Sequence, residues 1–142
     1  VYDGWRSPLT VRALYEHFYG PGSTLEPGYL ADPDAAAVPG APPPPHLTGG
    51  AVDLTLTLDG TALSLGTDFD EFTPRAHLHA LDDATTDEDR RARDLRRLLH
   101  DALGAAGFTP YDQEWWHVSY GDAAWAEAHG TTALYGATQP TR

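Results

Sequence analysis

The sequence predicts an α+β domain, a small and mostly antiparallel sheet flanked by helices. Three observations carry this. Residues 51–58, AVDLTLTL, alternate with period two and run into an Asp-Gly turn. Two segments, near 8–19 and 86–105, carry helical spacing behind good N-caps. A third run, EWWHVSY at 114–120, is rich in β-favouring residues. The order helix, loop, hairpin, helix, strand reads as an α+β domain with helices packed on the sheet. With 142 residues, 41% of them hydrophobic, residues 1–142 suit a single domain around one core.

In chain order, VYDGWRSP reads as a strand end and a turn. The sequence begins at Val1 rather than Met, and an N-terminal segment is expected to precede it. Ser7 and Pro8 form an N-cap and first-turn pair for a helix from Pro8 to about Tyr19, with Leu9, Leu14 and Phe18 among its apolar positions. Gly20–Gly22 end it. Residues 20–45 read as a long Pro-, Gly- and Ala-rich loop in which Pro42 to Pro45 are extended. In 51–58, Val52, Leu54, Leu56 and Leu58 share one strand face and Ala51, Asp53, Thr55 and Thr57 the other. Asp59-Gly60 turns the chain, and TALSLG returns as the second strand. Residues 67–85 are irregular. Thr86 caps a helix to about Ala105, with an acidic first turn, a stripe of Leu95, Leu98, Leu99 and Leu103, and Gly104 and Gly107 to close it. The chain after Gly121 has no clear pattern.

Composition excludes several functions. The formal net charge of −12 repels phosphate backbones, so nucleic acid is not an expected partner. No run of eighteen apolar residues exists, and neither a membrane span nor a signal peptide is expected. There is no cysteine, so any metal must be held by His, Asp or Glu.

Two short stretches could carry such chemistry. HLTGGAVDLTL places His46 seven residues before Asp53, with Gly49-Gly50 allowing a sharp turn between them. A lone histidine there is more often structural, and Asp53 could simply face solvent. If its face is covered, however, an ionised Asp53 needs a partner. The second stretch is EWWH. On a helix Glu114 and His117 would share a face. On a strand an offset of three separates them, so Glu114 would have to sit at a bend before the strand to join His117. Taken together, two His, one Asp and a nearby Glu have the composition of a catalytic zinc centre, in which three protein ligands leave a position for water and a carboxylate can take its proton.

HLTGGAVDLTL and EWWH resemble the His-x-x-Gly-x-Ala-x-Asp and Glu-x-x-His signatures of the zinc D,D-peptidase family. DGWRSP at 3–8, LGTDFDEF at 65–72 and PRAHLHA at 74–80 resemble its branch of vancomycin-resistance D-alanyl-D-alanine dipeptidases of VanX type. The five segments occur in family order from Asp3 to His117. The resemblance implies a fold shared with D,D-carboxypeptidases and the Hedgehog signalling domain, with one Zn²⁺ bound by His46, Asp53 and His117. It makes Glu114 the general base and Arg6 the cation that stabilises the oxyanion, with Asp3 orienting Arg6. On charge alone, Arg6 could equally be a surface ion pair with Asp3. Asp70 and His77 also match family positions, and a structural role is favoured for both. Pro44 departs from the family, which usually carries a serine two residues before the first ligand.

The resemblance implies hydrolysis of the free D-Ala-D-Ala dipeptide in the cytoplasm, before its use in peptidoglycan precursors, and a link to antibiotic resistance. The alternatives are a D,D-carboxypeptidase or other small-dipeptide peptidase, and a zinc-bound, catalytically weak binding domain. His17, His79, His100 and His129 are assigned no catalytic role, and oligomeric state is not legible.

Overall fold

Both long helices start on the hydroxyl caps the sequence carries. In a computed structural model that describes residues 1–138, helix α1 spans Pro8–Tyr19, and the Ser7 side chain accepts from the Thr10 amide. Val11, Leu14 and Phe18, spaced by three and four, form its inward stripe. Leu9 was expected there but lies on the opposite face and is 81% exposed. A one-turn helix, α2, follows at Pro45–Thr48. It corrects the extended reading at Pro45 alone, which takes the first helical position, where no amide hydrogen is needed; Pro44, at φ −48° and ψ 134°, is extended as expected. Helix α3 spans Asp87–Ala105, with Thr86 accepting from the Asp89 amide. It closes at Gly107, which sits at φ 88°. The amides of Gly107 and Phe108 bond back to the carbonyls of Gly104 and Leu103. Gly104 is therefore inside the helix rather than closing it. Leu99 is buried, and Leu95 and Leu103 pack on the core, but Leu98 points outward. Helix α4, Ala123–Ala128, was not legible in the sequence. Its cap is Asp122, which accepts from the Trp125 amide. No helix among the described residues is long and apolar enough to cross a membrane.

The strands are β1 at Ala51–Asp53, β2 at Thr57–Leu58, β3 at Thr61–Ala62, β4 at Thr109–Tyr111 and β5 at Glu114–Ser119. The expected continuous strand over 51–58 is thus broken at 54–56, because the run changes partner there. The Leu54 amide bonds to the Trp116 carbonyl, whereas the Leu56 carbonyl accepts from the Leu63 amide. The first part belongs to a three-stranded sheet of order β1-β5-β4, the second to the β2-β3 hairpin. Asp59 and Gly60, at φ 51° and 81°, make the hairpin turn as predicted, since both central positions of that turn are left-handed. β4 escaped the sequence reading because Pro110 interrupts it, and an edge strand tolerates proline.

The chain divides into two compact units, one of residues 1–3 with 52–118, the other of residues 4–51 with the chain from Ser119 on. The chain passes from one to the other inside β1 and again near the end of β5. In the first, Leu65, Ala76, Leu99, Trp115 and Trp116 form the buried cluster, with Phe69 and Phe72 against it. Arg96 lies in the same interior at 2% exposure. Its guanidinium donates to the carbonyls of Leu65, His77 and Arg75 and stacks over Trp115. Burial, helped by nearby Arg75, pushes its pKa down to about 10, so it stays protonated at neutral pH. It ties α3 to the irregular 65–77 segment, whose carbonyls have no strand to join. In the second unit, Val11, Leu47, Ala51 and Ala126 are buried. Asp122 also accepts from Ser119, and the Gly121 carbonyl accepts from the amides of Leu134 and Tyr135.

Arg96→Met should therefore destabilise the fold by on the order of 3 kcal/mol, since it leaves the carbonyls of Leu65 and Arg75 without a donor, while the His77 carbonyl keeps the Ala80 amide, and leaves similar volume in the core. Urea unfolding followed by tryptophan fluorescence checks this, and a loss below about 0.5 kcal/mol would show that the guanidinium does not anchor the segment.

Candidate metal centre

Strand register decides which side chains meet. The bonds from Leu54 to Trp116 and from Tyr120 to Gly50 run β1 antiparallel to β5. The same register sets Asp53 opposite His117, at a pair that exchanges no backbone bonds, where side chains stand closest. Asp53 Oδ1 lies 3.0 Å from His117 Nδ1. Asp53 uses its backbone on the other side, in a bridge with Asp3. The alternation expected in 51–58 is confirmed where it matters. Ala51 and Asp53 share a covered face, with Asp53 only 1% exposed.

His46 arrives from α2. Pro44 is buried and caps that turn with its carbonyl, which accepts from the Leu47 amide. Gly49 ends it at φ 74°, and a Cβ on Gly50 would stand 2.8 Å from the Tyr120 carbonyl oxygen. The Gly-Gly pair is thus required twice, once for conformation and once for space. The His46 ring is oriented by the Gly4 carbonyl, 2.7 Å from Nδ1. A carbonyl only accepts, so Nδ1 carries the proton and Nε2 the lone pair, the arrangement of a histidine prepared to ligate.

His46, Asp53 and His117 each offer one ligand atom, and these atoms all lie within 4.8 Å of one another. Four-coordinate zinc with bonds of about 2.0–2.2 Å sets its ligand atoms roughly 3.4 Å apart, so modest contraction closes the set. All three are buried, as is Glu114. Two carboxylates and two imidazoles out of water are rich in acceptors, and a divalent cation suits that donor set. The residues fit a zinc ion.

Glu114 opens β5 rather than preceding it, yet its Oε2 is 3.9 Å from His117 Nδ1. The opposite-face rule holds for a regular strand interior, and Glu114 is the terminal residue beside the Asp112-Gln113 turn. Arg6 lies between the Asp3 bridge and α1, partly exposed, and its amide donates to the His46 carbonyl. The Asp3–Arg6 turn thus holds Asp53 through Asp3 and His46 through Gly4 and Arg6. The Asp3 backbone pairs with Asp53. Asp70, at φ 59°, turns the 68–73 segment, and the His77 carbonyl accepts from Arg96. Tyr111 was not singled out by the sequence. Its ring meets His117 edge-on at 5.7 Å, and its hydroxyl donates to Gln113.

The chain belongs to the peptidase M15 family, described as D-ala-D-ala dipeptidase, which matches residues 1–134. It is also 36% identical over 91 residues to a D-alanyl-D-alanine dipeptidase of Synechocystis sp.. That match covers 59% of this chain and 37% of the relative, so the chain spans well under half the relative's length.

Removal of either anchor tests the centre. His46→Ala and Asp53→Ala should each weaken zinc binding by more than about 100-fold, beyond the usual cost of losing an outer partner. Metal analysis after dialysis against a zinc buffer measures this, and unchanged zinc in both variants would place the ion elsewhere.

Proposed function

We propose that the protein is a zinc-dependent dipeptidase that hydrolyses D-Ala-D-Ala. The observation that carries the reading is the buried His46–Asp53–His117 cluster with the Glu114 carboxylate beside it, in a chain of a dipeptidase family. Zinc held by the three ligands supplies Lewis acidity toward the scissile carbonyl and makes water a nucleophile near neutral pH. Glu114 takes the proton released as the new C–O bond forms and returns it to the amine as the C–N bond breaks. Arg6 faces the charge that grows on the carbonyl oxygen, and its permanently charged guanidinium needs no proton for that task. The Gly4 carbonyl fixes the tautomer of His46, and the Asp3 bridge fixes the backbone of Asp53. A free D,D-dipeptide as substrate implies action in the cytoplasm, upstream of peptidoglycan assembly.

Pro44 favours one alternative within the family. It puts a buried ring where a hydroxyl usually stands, so the preferred substrate could be a different small dipeptide or a longer D,D-peptide. A panel of D,D-, L,D- and L,L-dipeptides with product analysis at saturating zinc separates these readings. D-Ala-D-Ala should be cleaved most efficiently, and no turnover of any member would leave a zinc-binding domain without peptidase activity.

Glu114→Gln should retain zinc and lose turnover by roughly 100- to 10,000-fold, the span of general acid–base catalysis. Loss of zinc together with activity would make Glu114 a ligand instead. Arg6→Ala should lower kcat by about 100- to 1,000-fold while KM changes far less, with partial recovery in Arg6→Lys. A kcat near the parent value would reduce Arg6 to a surface ion pair.

A further inference from the structure

Trp115 follows Glu114 on β5 and precedes Trp116 and His117, and α3 grips it with two residues one helical turn apart. Arg96 stacks over its indole ring, whose N–H donates to Thr67. His100 meets its backbone, with Nε2 2.8 Å from the Trp115 carbonyl. A carbonyl only accepts, so Nε2 carries a proton. Nδ1 is buried and has no hydrogen-bond partner among the described residues. A neutral ring leaves one weak acceptor unmet at this point. A protonated ring would place a charged donor there with nothing to accept it, which costs far more.

The surroundings act in the same direction. Burial first of all holds the ring's pKa below its ordinary value, against the bond to the Trp115 carbonyl. Of the neighbouring charges, Arg96 and His79 oppose a second positive charge and Asp101 favours one. Arg96 is fixed in the core by its three carbonyl bonds, so its charge stays in place. Asp82, Arg93 and Arg97 also line this side of α3, but Arg97 is paired with Asp82 and Arg93 with Asp94. From β5 the ring meets the neutral Trp115 carbonyl.

We propose that His100 is an acid-released latch between α3 and β5. Neutral, it holds the strand that carries Glu114 and His117 by the Trp115 carbonyl. Protonated, it has no place in the interior and must swing out, which frees that carbonyl. The latch follows from the packing of α3 on β5 and does not depend on the peptidase reading. Because the folded ring takes a proton less readily than the unfolded one, the stability it contributes is complete above about pH 6.5 and is lost as the pH falls below that value.

Two measurements on the full chain, at a fixed excess of zinc, test this. Urea unfolding of the parent and of His100→Gln is compared between about pH 7.5 and about pH 5.5. The glutamine amide keeps a donor for Trp115 and takes no proton, and every other titrating group is common to both proteins. The unfolding constant of the parent should rise about five- to ten-fold more than that of the variant, the factor set by an unfolded imidazole that titrates near pH 6.5 and a folded one that resists protonation. The imidazole ¹⁵N signals of the folded parent give a reading that needs no variant. His100 should remain in its neutral Nε2–H form at about pH 6.5, where a free imidazole is half protonated. The proposal is overturned if the pH dependence of the two proteins differs by less than about two-fold, or if the His100 signals titrate at the ordinary imidazole value.

Discussion

The rest of the structure depends on the register between β1 and β5. Two backbone bonds, Leu54 to Trp116 and Tyr120 to Gly50, bring Asp53 and His117 face to face at 3.0 Å. Because side chains alternate along a strand, a slip by one residue would turn Asp53 to the other face and put Val52 or Leu54 in its place. That register is pinned from both sides. Trp115 and Trp116 lock β5 into the core, and Asp3 bridges the outer edge of Asp53. Two of the three donors, Asp53 and His117, are therefore built on paired backbone and the third, His46, on the short α2, which suits a site that must hold ligand atoms to a fraction of an ångström.

The turn at Asp3–Arg6 gains its meaning from the same arrangement. Three of its four residues, Asp3, Gly4 and Arg6, reach the backbone of one proposed ligand and both the backbone and the ring of another. Arg6 is part of that turn, so the residue assigned to the oxyanion is held by the element that positions the metal ligands. Displacement of the turn would disturb ligation and charge stabilisation together.

Much of this was legible in the sequence, and the reasons are local. Ser7 and Thr86 mark α1 and α3 because a hydroxyl that satisfies a free amide is a short-range signal, and Asp59-Gly60 marks the hairpin because only certain residues accept its backbone angles. The period-two run at 51–58 gave the right faces for Ala51 and Asp53. What was not legible is non-local. The break at 54–56 reflects a change of partner sixty residues away, and Arg96 is buried only because the carbonyls of residues 65, 75 and 77 converge on it. α2 hid behind a proline run that resembles an extended chain, and β4 behind Pro110. For the site, spacing alone left His46 and Glu114 ambiguous. The resemblance of five ordered segments named the set, and the coordinates supply the 3.0 Å and 3.9 Å separations that spacing could not.

The central claim is that β1, β5 and α2 assemble one metal-binding donor set from His46, Asp53 and His117. X-ray absorption at the zinc edge, on protein loaded with one equivalent, tests it most directly. The account predicts two imidazole nitrogens and one carboxylate oxygen at about 2.0–2.2 Å, with one imidazole lost in His117→Ala. A spectrum with no imidazole scattering, or one unchanged in His117→Ala, would contradict it.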